Sequence, residues 1–187
     1  MSRWSMVVAI GFAAATCGCA ETVAKRAFSE AAGASAKVVS RAAVPALTDI
    51  DGLKVGEIRN SAENLCPAEY VSALRRELET AAKASKVFVG SASMATVHAD
   101  VVHYESAGTL EAAMAPETAS FVLVTLAGAD GKELAKLTVV GRSAAARTGP
   151  ADVAKAMAAR LIAYLEACKT GDPTGGVTDA ASKLIKK

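Results

Sequence analysis

The sequence predicts an α+β fold: one small domain with a mixed or antiparallel sheet of about four to five strands and two helices on one face. Three observations carry this. Two runs with apolar residues at three- and four-residue spacing each open on a proline, Pro67 and Pro150. Between them lie stretches that alternate apolar and polar residues with the period of a strand. The last two stretches are joined by Gly128-Ala129-Asp130-Gly131, a hairpin signal. The expected order is β-α-β-β-β-β-α over residues 48–169.

In chain order, GLKVGEIR (52–59) alternates at Leu53 and Val55, flips parity at Ile58 across Gly56, and reads as a strand. NSAENLC is a polar connection, and Pro67 opens a helix whose stripe is Tyr70, Val71, Leu74, Leu78 and Ala81. KVFVG (86–90) reads as a short apolar strand. SASMATVHADVVHYES is a longer one, with Ala95, Val97, Ala99 and Val101 on one face and Thr96, His98, Asp100 and Val102 on the other. Residues 107–118 form a loop containing Pro116. Phe121 to Leu126 is apolar on both faces, which marks a central strand, and its partner Leu134 to Val140 alternates more, which places it nearer an edge. Pro150 starts the second helix, with Val153, Met157, Leu161, Tyr164, Leu165 and Cys168 as its stripe. The tail, 170–187, is rich in Gly, Pro and Thr before a short basic end and reads as disordered.

Aromatic residues make up only 4 % of the chain, so the core is built from Val, Leu, Ile and Ala. The formal net charge of +2 gives no sign of a nucleic-acid or polyanion partner. No G-x-S-x-G, H-E-x-x-H or phosphate-loop pattern occurs, so no catalytic residue and no cofactor is assigned. His98 and His103 are five apart, hence on opposite faces of a regular strand, and neither has a spaced ligand partner, so no metal site is expected. Asp100, Glu105 and Glu111 could act as acid and base in sugar cleavage, but their spacing does not select them over other carboxylates.

The N-terminus is more specific. Arg3 precedes an apolar run from Met6 to Ala15, and small residues lead into Cys17, Gly18 and Cys19. The run is short of the ~18 residues that a spanning helix needs. Charged start, short apolar stretch and small-residue processing site form an export signal. The segment resembles the signal peptide of bacterial lipoproteins, in which a cysteine after a small residue is lipidated and becomes the new N-terminus. Gly18-Cys19 fits that box better than Thr16-Cys17, so Cys19 is the expected lipid site and Cys17 the alternative; Thr16 stands where an aliphatic residue is usual. The resemblance implies a signal peptide over 1–18, with residues 19–47, rich in Ala, Ser and Lys/Arg, as a flexible tether. Any longer helix there would be interrupted at Gly33 and Pro45. Ala20, after the lipid site, implies the outer membrane with the domain facing the periplasm; a plainly secreted or periplasmic protein is the alternative.

With Cys17 removed and Cys19 lipidated, Cys66 and Cys168 remain, and an even pair in an oxidising compartment reads as a disulfide. It would close a loop of about 100 residues, for which chain entropy suggests about 4 to 5 kcal/mol. The bridge requires the two helices to lie antiparallel. Two unpaired buried thiols or a metal pair are the competing readings, though two cysteines without a nearby histidine are too few for zinc.

The element order, with VTLAGADGKELAKLTVVGRSA followed by a PADVAKAMAARLIAYL helix, is similar to the small α/β domains of uncharacterised bacterial envelope lipoproteins. That resemblance implies a non-catalytic binding or scaffold module in envelope assembly or transport, held to the membrane by its lipid and contacting another envelope protein. The alternatives are a secreted or anchored hydrolase built from scattered polar residues, and a small-ligand or lipid-binding module.

Overall fold

The computed structural model describes residues 33–40, 44–45, 47–106, 118–143 and 148–171. Cys17, Cys19, Glu111, the expected signal, most of the expected tether, nearly all of the expected 107–118 loop and the residues beyond Gly171 lie outside them. The described residues form the expected α+β domain. Five strands, β1 (Ala34–Ser40), β2 (Gly52–Asn60), β3 (Met94–Glu105), β4 (Thr118–Ala127) and β5 (Glu133–Ser143), make one mixed sheet. Two helices, α1 (Ala68–Ala84) and α2 (Pro150–Thr170), pack together on one face of it. The strand order is β1-β5-β4-β3-β2, antiparallel throughout except for the parallel pair β2–β3, which α1 connects. The core lies between this face and the helices, where Tyr70, Leu74, Met157, Leu161, Leu126 and Val139 are buried.

Local chemistry sets the ends of these elements. Pro67 holds the cap position of α1, and Pro150 is the first residue of α2, with the Asp152 carboxylate accepting the Gly149 N–H at 3.0 Å. Gly171 ends α2 in the left-handed conformation that a glycine adopts without a side-chain clash. In the β4–β5 hairpin, Gly131 is also left-handed at φ 77°, and Gly128 N–H donates to the Lys132 carbonyl at 2.8 Å. The Lys132 backbone amide, donating to Asp130 Oδ1, holds that carboxyl below the usual carboxylate range.

Four expectations require correction. Residues 34–40, expected within the tether, form edge strand β1, whose inward side chains Ala34, Ala36 and Val38 pack against the core beneath α2. β5 therefore lies between β4 and β1, one strand in from the edge and nearer it than the central β4, as expected. Residues 86–90 are not a strand. The Ser85 hydroxyl accepts the Val87 and Phe88 amides and Gly90 N–H donates to the Asp51 carbonyl, so these amides turn the chain, burying Phe88 and leaving Val89 exposed.

The disulfide is the third correction and the histidine geometry, described below, the fourth. The helices run parallel: the Tyr70 hydroxyl in the first turn of α1 lies 3.0 Å from Met157 Sδ, and Ser85 just past its end donates to the Glu166 carboxylate near the end of α2. Cys66 precedes α1 and Cys168 sits in the last turn of α2. A 17-residue helix spans about 25 Å, far beyond the ~4.4–6.8 Å between Cα atoms that a disulfide allows. Both cysteines are free and buried, and burial pushes both thiols up from their usual range, which favours the unreactive protonated form.

Tyr70 ties α1 to the sheet. Its ring packs on Tyr104 at 4.8 Å between centroids, and its hydroxyl lies 2.8 Å from Ser120 Oγ, both residues fully buried. Tyr70→Phe leaves the Ser120 hydroxyl without that partner and is expected to cost about 1 to 3 kcal/mol. Burial raises the pKa of Tyr70, Tyr104 and Tyr164, as it does those of the two thiols. The folded chain therefore keeps protons that the unfolded chain releases above about pH 9 to 10. Stability is accordingly expected to be full below pH 9 and to fall steadily above pH 10, less steeply in Tyr70→Phe. Urea midpoints at pH 8, 10 and 11 check this, and parallel decline of the two proteins would refute the part assigned to Tyr70.

Candidate functional site

Among the described residues nothing covers the middle of the sheet face opposite the helices, because α1 and α2 both lie on the other side. There Leu123 is 47 % exposed, and Val39 and Val102 are also exposed, while Phe121 is half-buried. Toward the β2 edge this face opens into a groove of about 360 Å³ lined by Glu57, Arg59, His98, Asp100, Leu123 and Thr125.

A bulge in β2 shapes the groove. Val55 pairs with Val97, but Ile58 pairs with Ala99, so Gly56 and Glu57 bow out of the ladder, as the parity flip in the sequence indicates. A Cβ at Gly56 would lie 2.7 Å from the His98 ring, so only glycine leaves room for that imidazole. The bulge frees the Glu57 amide, which donates to His98 Nδ1 at 3.2 Å. The remaining ring hydrogen is then on Nε2, as a donor. Arg75, reaching from α1, donates to the Gly56 carbonyl at 3.2 Å.

The carboxylates are engaged. Asp100 accepts both the amide and the hydroxyl of Ser61, at 3.2 and 2.9 Å. Glu57 accepts from Arg59 at 2.9 Å, and this guanidinium holds the Glu57 carboxyl below the usual carboxylate range. That pair is exposed, and water screens most of its energy. The groove therefore presents an imidazole N–H, a guanidinium and the Thr125 side chain beside the apolar surface of Leu123. Such a set can hydrogen-bond and pair with a polar ligand.

A second bulge, in β3 at Val102, corrects the histidine geometry. His98 pairs with Thr125 but His103 pairs with Phe121, so the extra residue returns His103 to the same open face as His98. Their partners are four residues apart on β4, about 13 Å along the strand, too far for joint ligation. His103 instead packs edge-on against Phe121 at 5.5 Å and lies 3.7 Å from Glu105. Of the three carboxylates considered for sugar cleavage, Asp100 and Glu105 share this face at different strand positions and Glu111 lies outside the described residues. Among the described residues no cluster of three metal-capable side chains occurs, and no helix is long and apolar enough to cross a membrane.

No family model matches the chain, and no curated protein matches it. Among solved structures, the chain is similar to a PelC dodecamer from Paraburkholderia phytofirmans, at 16 % identity and a TM-score of 0.45, covering 71 % of this chain and 97 % of that one. A point variant of that dodecamer matches at 15 % identity and the same TM-score, covering 71 % and 98 %.

Proposed function

We propose that this protein is a non-catalytic lipoprotein, lipidated at Cys19 and held at the outer membrane facing the periplasm, whose domain is a binding or scaffold module working through the uncovered face of its sheet. The observation that carries the binding reading is that face itself, a hydrogen-bonded platform with Leu123, Val39 and Val102 exposed and both helices on the opposite side. Isolated exposed apolar residues are ordinary, but several sharing one sheet face suit a docking surface. The Nε2–H of His98 and the Arg59 guanidinium, both lining the groove, support binding of a polar partner. The anchor rests on the order Arg3, apolar run, Gly18-Cys19. The groove beside His98 also supports a second reading, in which the same face takes a small polar ligand.

Metabolic labelling with an alkyne fatty acid tests the anchor. The chain is expected to take up label and fractionate with outer membranes, and Cys19→Ala is expected to lose both. Undiminished labelling of Cys19→Ala would falsify the lipid site, and label confined to Cys17 would move it there.

A further inference from the structure

The uncovered face has a charge order across its strands that the docking reading does not use. Strand register lays it out in rows: Arg142, Ala119 and Glu105 stand in one, Thr138, Leu123 and Asp100 in another, and Lys136, Thr125 and His98 in a third. Exposed Lys37 on β1 extends the basic side, and Glu57 on β2, paired with Arg59, lies beyond His98. Arg142, Lys136 and Lys37 thus place cations on the β1/β5 side, although Glu133 on β5 pairs with Lys136; Asp100 and Glu105 place carboxylates on β3, while edge strand β2 carries both signs, Glu57 beside Arg59 and Lys54. Phe121 and Leu123 stand on the central strand between the two sides.

We propose that this face is where a second copy of the same chain docks, sheet against sheet, about a twofold axis running along β4. This rests on the reading of the face as a docking surface and names its occupant. Rotation about an axis along the strands exchanges the two sides of the sheet and preserves position along it. Arg142 of one copy then meets Glu105 of the second copy, Thr138 meets Asp100, and Leu123 and Phe121 each meet their own counterparts. In the third row Lys136, which Glu133 of its own chain holds at 2.8 Å, faces His98 and adds no ion pair. A partner carrying one sign of charge would oppose either Arg142 or Glu105, whereas the face's own rotated image pairs the two. The area is sufficient. Five strands about 4.8 Å apart and about seven residues long cover about 550 Å² of each copy. Two such faces bury about 1,100 Å² in total, above the ~1,000 Å² a biological interface needs and just below the ~1,200 Å² at which the stable class begins, the size of a weak, reversible dimer. Sheets stacked this way lie about 10 Å apart, a gap filled by side chains of the size of Leu and Phe.

The test uses the full-length chain purified in mild detergent. Leu123→Cys, on the axis, is expected to give a disulfide-linked dimer under mild oxidation, beyond any formed by the unsubstituted chain. Light scattering is expected to report two chains per particle at micromolar concentrations. Leu123→Arg is expected to give one chain per particle with an unchanged circular dichroism spectrum, since an exposed side chain is replaced. Arg142→Glu is expected to weaken association about tenfold, and adding Glu105→Arg to restore it, because the reversed pair is again complementary. A single chain at every concentration overturns the proposal, as does a dimer indifferent to Leu123→Arg and to both charge reversals. Loss of fatty-acid labelling with the dimer intact would sink the anchor alone, and a labelled monomer the self-association alone.

Discussion

Gly141→Val is expected to cost about 3 kcal/mol or more of folding stability, seen as a large fall in the urea midpoint at unchanged slope. A Cβ on Gly141 would lie 2.5 Å from Met157 Sδ, 2.6 Å from Met157 Cγ and 2.8 Å from Val153 Cγ1. Both neighbours are buried on the inner face of α2, and Met157 is further held by the Tyr70 hydroxyl. Moving Met157 aside therefore disturbs α1, α2 and the sheet together. The conformation of Gly141 is an ordinary one for strands, so the cost comes from crowding rather than from backbone strain. Gly141→Ala is expected to act in the same direction, by about 1 to 3 kcal/mol. An alanine variant within about 0.5 kcal/mol of the unsubstituted chain would show that α2 does not lie as close to β5 as described.

Leu161→Ala is expected to cost about 3 to 4 kcal/mol, by the opposite failure. Leu161 lines an internal void of about 10 Å³ together with Leu74, Leu78, Val122, Val124, Val139 and Met157. Two helices and two strands meet there, so no single element can relax into an enlarged space. The lining is apolar and offers water no partners, so the space stays empty. A measured cost below about 1 kcal/mol would mean that the helices close over the gap.

Both positions lie on patterns legible in the sequence to different degrees. The stripes of α1 and α2 announce themselves because an amphipathic helix repeats its apolar side chains every three or four residues, and Tyr70, Leu74, Leu78, Val153, Met157, Leu161 and Leu165 are buried as their spacing implies. The hairpin and the central place of β4 are legible for similarly local reasons. β1 is not. Its inward residues are Ala34, Ala36 and Val38, small because α2 passes over them, and small residues alternating with Ser and Lys look like a linker. Residues 86–90 mislead in the other direction: three apolar residues in five suggest a strand, but a single one, Phe88, is buried, under the cation–π contact of Lys169 at 5.1 Å.

The site shows the same division. The parity flip at Gly56 is visible in the sequence, and it marks the bulge that shapes the groove. The bulge at Val102 carries no such mark, since Val-Val-His continues a strand without a glycine, and it alone decides which way His103 faces. The separation of Cys66 from Cys168 depends on helix direction, which is set by the parallel β2–α1–β3 connection and by which strand precedes α2. Neither is encoded in the helices' own residues. Composition and cysteine parity could only nominate the pair.

The pairing of β1 with β5 has a consequence in time. Ala34 lies opposite Ser143 and Ser40 opposite Leu137, so the first of the described strands to be synthesised finds its hydrogen-bond partner about 100 residues later. The β4–β5 hairpin can close locally within microseconds, and the β2–α1–β3 unit needs only contacts within itself. β1 is thus the last strand whose neighbour becomes available, and until β5 is in place its row of small inward side chains has no sheet to join. A folding reaction followed by amide protection should therefore protect β4 and β5 first and the backbone of Ala34–Ser40 last.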